Sequence, residues 1–250
     1  MRQDESLLVL LQKADNEDLK TLADIITTNK KGKHRPNESL TSRAKYMTCY
    51  PYNMRALVPD IVDELQCYGS NTVMTLLRCG KGVSYRTILR DVAKKLKVSY
   101  NKHTEDENLE RYILQKMFDD IAVNMSEEEL RALAESMKIR LTAGYSKQAI
   151  IAVLQAAIRR GGFQSYIWIV VAANAISRAL FGRGLSFVAN ALLTRITSIF
   201  AGPIGIAFNI LWTTIDIAGP AYRVTIPAVV QIAYIRNKLQ NAKWAREISI

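Results

Sequence analysis

The chain has 250 residues, of which 49% are hydrophobic and 23% charged, so it can bury a sizeable core and extended disorder is excluded. Three cysteines without C-x-x-C spacing and two distant histidines exclude a recognisable disulfide framework or metal site, and we expect reduced thiols. The chain opens with acids at Asp4 and Glu5 and only a short apolar run before Lys13, unlike a secretory signal, so we expect a cytoplasmic protein.

The net charge of +11 is unevenly distributed along the chain. Residues 1–140 contain 23 Lys and Arg against 21 Asp and Glu, whereas residues 141–250 contain 11 against 2. In this second part the basic residues interrupt apolar runs and do not cluster on a polar surface. This distribution disfavours nucleic acid as a partner and favours anionic lipid head groups.

A short helical hairpin is predicted at the start of the chain. Residues 7–11 form an apolar turn, and Asp15 can cap a second helix over about residues 17–28. The sequence NKKGKHRPNESLTSR at 29–43 is polar and basic and predicts a loop. Its basic residues have two interpretations, contact with a phosphate or a lipid, or simple solvation.

Further helices are predicted between residues 59 and 140. Pro59 suits the first turn of a helix that Gly69 can close. Residues 84–98 predict a basic amphipathic helix that lies on a membrane, docks a partner or packs at the edge of a bundle. Two capping boxes predict the starts of the next helices, at Thr104 with Glu107 and at Ser126 with Glu129.

The sequence becomes more apolar near residue 142. Residues 146–162 predict a helix that ends at a glycine pair, and residues 161–177 carry no formal charge. From Ile196 to Ile215 twenty consecutive residues lack an ionisable group, about the ~20 that a membrane-spanning helix needs. Four aromatic residues near the run ends are either interfacial anchors or ordinary core residues: Trp168, Trp212, Tyr222 and Tyr234.

The uncharged run contains a predicted turn. Gly202, Pro203 and Gly205 are unfavourable inside a helix, so we expect a hairpin with arms over residues 185–200 and 206–217. Each arm is too short or too interrupted for an unambiguous membrane span. We therefore expect a hairpin that the polar helices shield until it meets a membrane. A permanent span and a buried hairpin of a soluble bundle remain the alternatives.

Charged and aromatic residues beside this hairpin are the predicted contacts with a membrane or a partner. Arg183 and Arg195 are expected to reach lipid head groups, and Trp212 to act as an interfacial anchor. Asp216 is expected either to pair with Arg223 or to lie in water at the interface.

No catalytic constellation is recognisable. The acids Asp119 and Asp120, or Asp60 with Asp63 and Glu64, could do acid–base work, but neighbouring carboxylates on a helix usually face water. We therefore expect a protein without enzymatic activity and without a cofactor.

Three stretches carry a resemblance to a known family: YRVTIPAVVQIAYIR at 222–236, LLVLLQKADNEDLKTLADIITTNKKGK at 7–33 and YRTILRDVAKKLKV at 85–98. They resemble the bacterial YaaW-type proteins of unassigned function, over nearly the whole chain. In that family a short N-terminal module precedes a region distantly similar to the ubiquinol-cytochrome c chaperone domain, here about residues 40–140. This similarity implies an all-helical fold and, by analogy, membrane-protein assembly; it supplies no catalytic residues.

We therefore predict an all-α multi-helix bundle with an apolar, glycine-containing C-terminal hairpin. Its predicted segments are an N-terminal hairpin module (1–36), a charged helical region (37–142) and an apolar basic region (143–250). The leading functional hypothesis is a bacterial effector that inserts into or perturbs the inner membrane, and the alternative is an assembly chaperone for a membrane-protein client. Expected partners are anionic lipids, such a client or further copies of the chain, at or in the inner membrane.

Overall fold

The computed structural model describes residues 4–29, 31–36, 38–68, 82–181, 213 and 221–241. These residues form ten α-helices, two short 3-10 helices at Leu40–Ser42 and Met54–Leu57, and no β-strand. The α-helices are α1 (Glu5–Gln12), α2 (Asn16–Thr27), α3 (Ala44–Cys49), α4 (Val58–Tyr68), α5 (Tyr85–Lys95), α6 (Asp106–Ala122), α7 (Glu127–Ser136), α8 (Lys147–Arg160), α9 (Phe163–Phe181) and α10 (Tyr222–Gln240). The predicted all-α class is confirmed, and the predicted hairpin around Gly202–Gly205 lies outside the described residues.

Side-chain caps fix where several helices begin. Asp15, Ser84, Ser126 and Ser146 each accept a hydrogen bond from the backbone N–H three residues later. Such a bond satisfies one of the N–H groups that the first helical turn leaves unpaired. At Ser126 the predicted capping box is confirmed, because the Glu129 carboxylate also accepts the Ser126 N–H.

The capping box predicted at Thr104 and Glu107 is wrong. Helix α6 begins one residue later than this motif requires, with Glu105 at the N-cap position and no side-chain cap. The Thr104 hydroxyl instead accepts a hydrogen bond from the Asn101 N–H at 3.2 Å, inside the preceding turn. Threonine can bond to loop and to helix N–H groups alike, and here the local turn takes its hydroxyl.

Helix α5 is the predicted basic amphipathic helix. Its apolar side chains Ile88, Leu89 and Val92 are fully buried, while Lys94 and Lys95 are exposed. The apolar face packs against α6 and α10. Of the interpretations that the sequence left open for this helix, its position in the structure favours the edge of a bundle.

Helices α9 and α10 form the centre of the core. Each has 19 residues, most of them buried, and they pack directly against each other. Helix α10 also contacts α1, α2, α4, α5 and α6. Helix α10 and the N-terminal helices therefore belong to one hydrophobic cluster. This cluster contains buried residues from each of the three predicted segments, for example Leu19, Leu109 and Ile226.

The two central helices run antiparallel. Tyr166 near the start of α9 interacts electrostatically with Lys238 near the end of α10, and Tyr234 interacts with Tyr166. Consequently the end of α9 and the beginning of α10 lie at the same end of the pair. We call this end, defined by Phe181 and Tyr222, the entry end. Among the described residues, no helix is both long and apolar enough to cross a membrane.

Candidate functional site

The predicted contact residues fall mostly outside the described part of the chain. Arg223 is described and lies exposed in the first turn of α10, at the entry end. The others lie outside the described residues: Arg183, Arg195, Gly202, Pro203, Gly205, Trp212 and Asp216. The predicted pairing of Asp216 with Arg223 therefore stays a prediction.

A buried ionic cluster holds the far end of α10. Arg236 donates two hydrogen bonds to the carboxylate of Glu110 on α6, with distances of 2.8 and 3.0 Å. The hydroxyl of Tyr85 at the start of α5 donates a third hydrogen bond to Glu110, at 2.8 Å. Glu110 and Tyr85 are each only 1% exposed, so this cluster fixes the positions of three helices relative to one another.

Burial and charge oppose each other in this cluster. Burial raises the pKa of Glu110, whereas the hydrogen bonds and positive charge of Arg236 lower it. Burial likewise disfavours the charge on Arg236, but the Glu110 carboxylate outweighs this and raises the Arg236 pKa. A pair of this kind stays ionised only while its geometry is maintained, which suits a structural connection.

A second ionic cluster joins α10 to the start of α2. The Lys238 ammonium donates to Asp15 Oδ2 at 2.5 Å and to Asp18 Oδ2 at 2.7 Å. On the same side of α10, the Gln231 amide donates to the backbone carbonyl of Asp18 at 3.2 Å. Lys238 also lies 5.6 Å from the centre of the Tyr234 ring. One lysine therefore pairs with two carboxylates at the junction of α2 and α10.

The two carboxylates of this cluster respond differently to their surroundings. Burial raises the pKa of Asp18 to about 7, although the Lys238 charge opposes the change. Burial also acts on Asp15, but there the hydrogen bond and charge of Lys238 prevail and lower its pKa. Asp18 is therefore the carboxyl group in this cluster that takes up a proton first as the pH falls.

Two of the four aromatic residues at the run ends are core residues. Trp168 is 1% exposed, donates from Nε1 to the Leu114 carbonyl at 2.8 Å, and packs edge-on against Phe118 at 5.0 Å between ring centres. Tyr234 is 3% exposed within the core. For these two the core interpretation is confirmed. Tyr222 is partly buried beneath Lys95, and Trp212 lies outside the described residues.

The acidic groups considered for catalysis are engaged in structural contacts. Arg43 pairs with Asp60 at 3.0 Å, with Asp63 at 2.9 Å and with Glu64 at 3.4 Å. Asp119 and Asp120 likewise have partners, the Gln155 amide for Asp119 and the Lys116 ammonium for Asp120. Within the described ranges, no group of three His, Cys, Asp or Glu residues is arranged to hold a metal ion. These acids thus take part in ion pairs and hydrogen bonds, some within one helix and some between elements.

Sequence reasoning did not anticipate the roles of Arg236 and Lys238. Both belong to the basic excess of the C-terminal part, which the charge pattern assigned to lipid head groups. Their partners lie 126 and 220 residues away in the sequence. The only signal in the sequence was that both residues lie in the last turns of a helix. Basic residues are common there because they interact favourably with the helix dipole, so this position does not indicate a buried ion pair.

Comparison with known proteins supplies the family. Residues 55–230 match the family model described as Ubiquinol-cytochrome C chaperone, and residues 1–35 match one described as a domain of unknown function, DUF3944. The chain is 40% identical to a UPF0174 protein of Helicobacter pylori strain J99, over 94% of this chain and 92% of that protein. It is 28% identical to the UPF0174 protein YaaW of Escherichia coli strain K12, over 93% and 94% of the two chains. No solved structure matches the chain.

These matches confirm the resemblance to YaaW-type proteins and extend the chaperone similarity beyond the expected 40–140. The matched region reaches residue 230 and so includes α9 and the beginning of α10. The chain belongs to the UPF0174 protein family, and its residues 55–230 belong to the ubiquinol-cytochrome C chaperone family.

Proposed function

We propose that the protein is a non-enzymatic assembly chaperone that holds an apolar segment of a membrane-protein client at the cytoplasmic face of the inner membrane. The observation that carries this proposal is the match of residues 55–230 to a family described as a chaperone. The engagement of the described acid pairs in ion pairs and hydrogen bonds supports a role without acid–base chemistry.

The architecture suggests which part of the chain meets the client. The uncharged run Ile196–Ile215 lies in the sequence between α9 and α10, the two central helices of the core. Both helices are held firmly, α9 by the buried Trp168 and α10 by its two ionic clusters. The uncharged run is thus flanked in the sequence by two helices with fixed positions in the core. We propose that this run contacts the apolar segment of the client.

A direct test uses a synthetic transmembrane peptide of about twenty Leu and Ala residues, the length that spans a bilayer. The peptide is diluted from detergent with and without an equimolar amount of the full-length protein, and light scattering follows its aggregation. We expect the protein to suppress the scattering. Ile206→Asp places a charge in the uncharged run and should abolish the suppression.

The matched control is Val123→Asp, which places the same charge on a side chain that is 62% exposed at the end of α6. This variant should suppress scattering as the wild type does. Equal suppression by both variants, or none by the wild type, contradicts the proposal.

The second candidate function is insertion into the membrane, which the twenty-residue uncharged run favours. Release of a trapped dye from vesicles rich in phosphatidylglycerol, but not from phosphatidylcholine vesicles, would support insertion over client binding. Arg195→Glu should then reduce the release, because it reverses a charge next to the run. Carbonate extraction of cell membranes distinguishes an inserted protein from a peripheral one.

A further inference from the structure

Two polar side-chain atoms near the beginning of α10 are buried without a hydrogen-bond partner: Arg35 Nε and the Tyr68 hydroxyl oxygen. Buried polar groups are paired in the great majority of cases, so an unpaired one needs an explanation such as a missing water or ion. Arg35 is held in place by its backbone, whose N–H donates to the Thr27 carbonyl at 2.8 Å. Tyr68 is the last residue of α4.

Helix directions place these residues at the entry end. The start of α2 contacts the end of α10, because Asp18 pairs with Lys238. Helices α2 and α10 also pack along each other, so the end of α2 points towards the beginning of α10. Arg35 follows the end of α2 and is close enough to Tyr68 and to Arg223 to interact electrostatically with both. The loop after α2, the end of α4 and the beginning of α10 therefore contribute to one small region.

Basic residues from three parts of the fold lie in this region. Arg35 interacts electrostatically with Arg223 of α10, and Lys95 of α5 lies 5.3 Å from the centre of the neighbouring Tyr222 ring. Burial and, more weakly, the charge of Arg223 lower the pKa of Arg35. Asp91 of α5 is the described acid that interacts with Tyr222. An anion beside Arg35 would favour the charged guanidinium that burial disfavours.

The carboxylates nearest to Tyr68 already have donors. Glu64 accepts hydrogen bonds from the Ser39 N–H at 2.9 Å and from the Ser39 hydroxyl at 2.6 Å, and it pairs with Arg43. Glu38 accepts from the backbone N–H and the hydroxyl of Thr41. Burial raises the pKa of Tyr68 to about 12, so its hydroxyl keeps its proton and can donate.

We propose that Arg35 and Tyr68 bind a phosphate-type oxyanion at the entry end. The Arg35 Nε–H and the Tyr68 O–H donate to its oxygens, and the Arg35 guanidinium offsets part of its charge. Under this proposal both interpretations of the basic loop 29–43 apply, each to different residues. Lys31 and Lys33 are exposed and serve as solvated charges, whereas the partly buried Arg35 makes the phosphate contact. The site does not depend on the chaperone function.

The test measures the thermal stability of the full-length protein during titration with inorganic phosphate, at ionic strength held constant with chloride. Phosphate should raise the midpoint temperature of the wild type, because a ligand that binds the folded state stabilises it. Tyr68→Phe should weaken the apparent affinity about tenfold, the effect of one hydrogen bond to a charged group. Arg35→Gln should remove the response. The matched control is Arg140→Gln, which removes an exposed arginine outside the site and should respond as the wild type does.

Tyr68→Phe also separates this proposal from a structural water. Without phosphate the variant should be as stable as the wild type or slightly more so, because an unpaired buried hydroxyl is removed. A variant that is destabilised equally with and without phosphate would show that water satisfies the hydroxyl, and would overturn the proposal. The proposal also fails if phosphate does not stabilise the wild type, or if Arg35→Gln and Arg140→Gln respond alike.

Two sources can supply the phosphate group, and vesicles distinguish them. Binding to phosphatidylglycerol vesicles that inorganic phosphate and Arg35→Gln both abolish identifies a lipid head group. A response to inorganic phosphate without vesicle binding identifies a soluble phosphate. Either result supports the site, and the absence of both overturns it.

Discussion

Arg236 in the last turns of α10 and Glu110 in the second turn of α6 form a two-pronged hydrogen-bonded ion pair inside the core, 126 residues apart in the sequence. Glu110 is 1% exposed on its side chain and Arg236 is 18% exposed. Because the acid has no access to water, loss of the arginine would leave a buried carboxylate without its counterion.

Arg236→Met should therefore destabilise the protein by about 3 kcal/mol, at the lower end of the range for a broken buried pair because Arg236 retains some exposure. The loss arises mainly from the uncompensated Glu110 charge. The double variant Glu110→Gln with Arg236→Met should recover part of the stability, and urea unfolding measures both changes. A single variant within about 0.5 kcal/mol of the wild type would contradict this account of the pair.

Asp18 should give the folded protein a distinctive pH dependence. Its folded-state pKa of about 7 lies above the ordinary aspartate value, so the folded chain binds the proton more tightly than the unfolded chain. This contribution to stability is fully present below the unfolded pKa and is lost as the pH rises through about 7. The stability of the wild type relative to Asp18→Asn should therefore fall between about pH 4 and pH 7.

Asp15→Asn is the matched control for this pH dependence, because asparagine is an equally good N-cap for α2. The folded-state pKa of Asp15 is lowered, so its contribution is present above the unfolded pKa and is lost as the pH falls. Relative to the wild type, Asp15→Asn should therefore show its pH dependence at and below about pH 4 and little change between about pH 4 and pH 7. Parallel pH profiles would be inconsistent with the assignment of the first proton to Asp18.

Trp168→Leu should cost about 3 kcal/mol of stability, because it leaves a cavity beside Phe118 and removes the indole hydrogen bond to the Leu114 carbonyl. The comparison variant is Tyr52→Leu, which changes an aromatic side chain that is 90% exposed and should shift stability by less than about 0.5 kcal/mol. Thermal unfolding of the two proteins measures the difference. Similar midpoints would indicate that Trp168 does not lie in the core.

Ser126→Ala should destabilise the protein by about 1 kcal/mol, the usual effect of removing a helix N-cap. Thr104→Ala should have a clearly smaller effect, because its hydroxyl bonds within an exposed turn and does not cap α6. Urea unfolding of both variants distinguishes the real cap from the motif that only resembles one.

The capped helices were predictable because a cap and an apolar period act within a few residues of each other. Asp15 and Ser126 are examples, and Thr104 marks the limit, since its hydroxyl had a competing partner equally near in the sequence. Pairs such as Glu110 with Arg236 were not predictable, because charge is visible in the sequence but its spatial neighbour is not. Of the predicted contact residues, Arg223 is the one that the described structure places, and its predicted pairing with Asp216 stays a prediction.

The contact between Asp18 and Lys238 spans 220 residues of the sequence. During synthesis the first helices leave the ribosome long before their partner on α10 exists, and the uncharged run Ile196–Ile215 emerges ahead of that partner. The central core can therefore close only after α10 has been synthesised. Until then the newborn chain carries a long uncharged run without the helix that completes the described core.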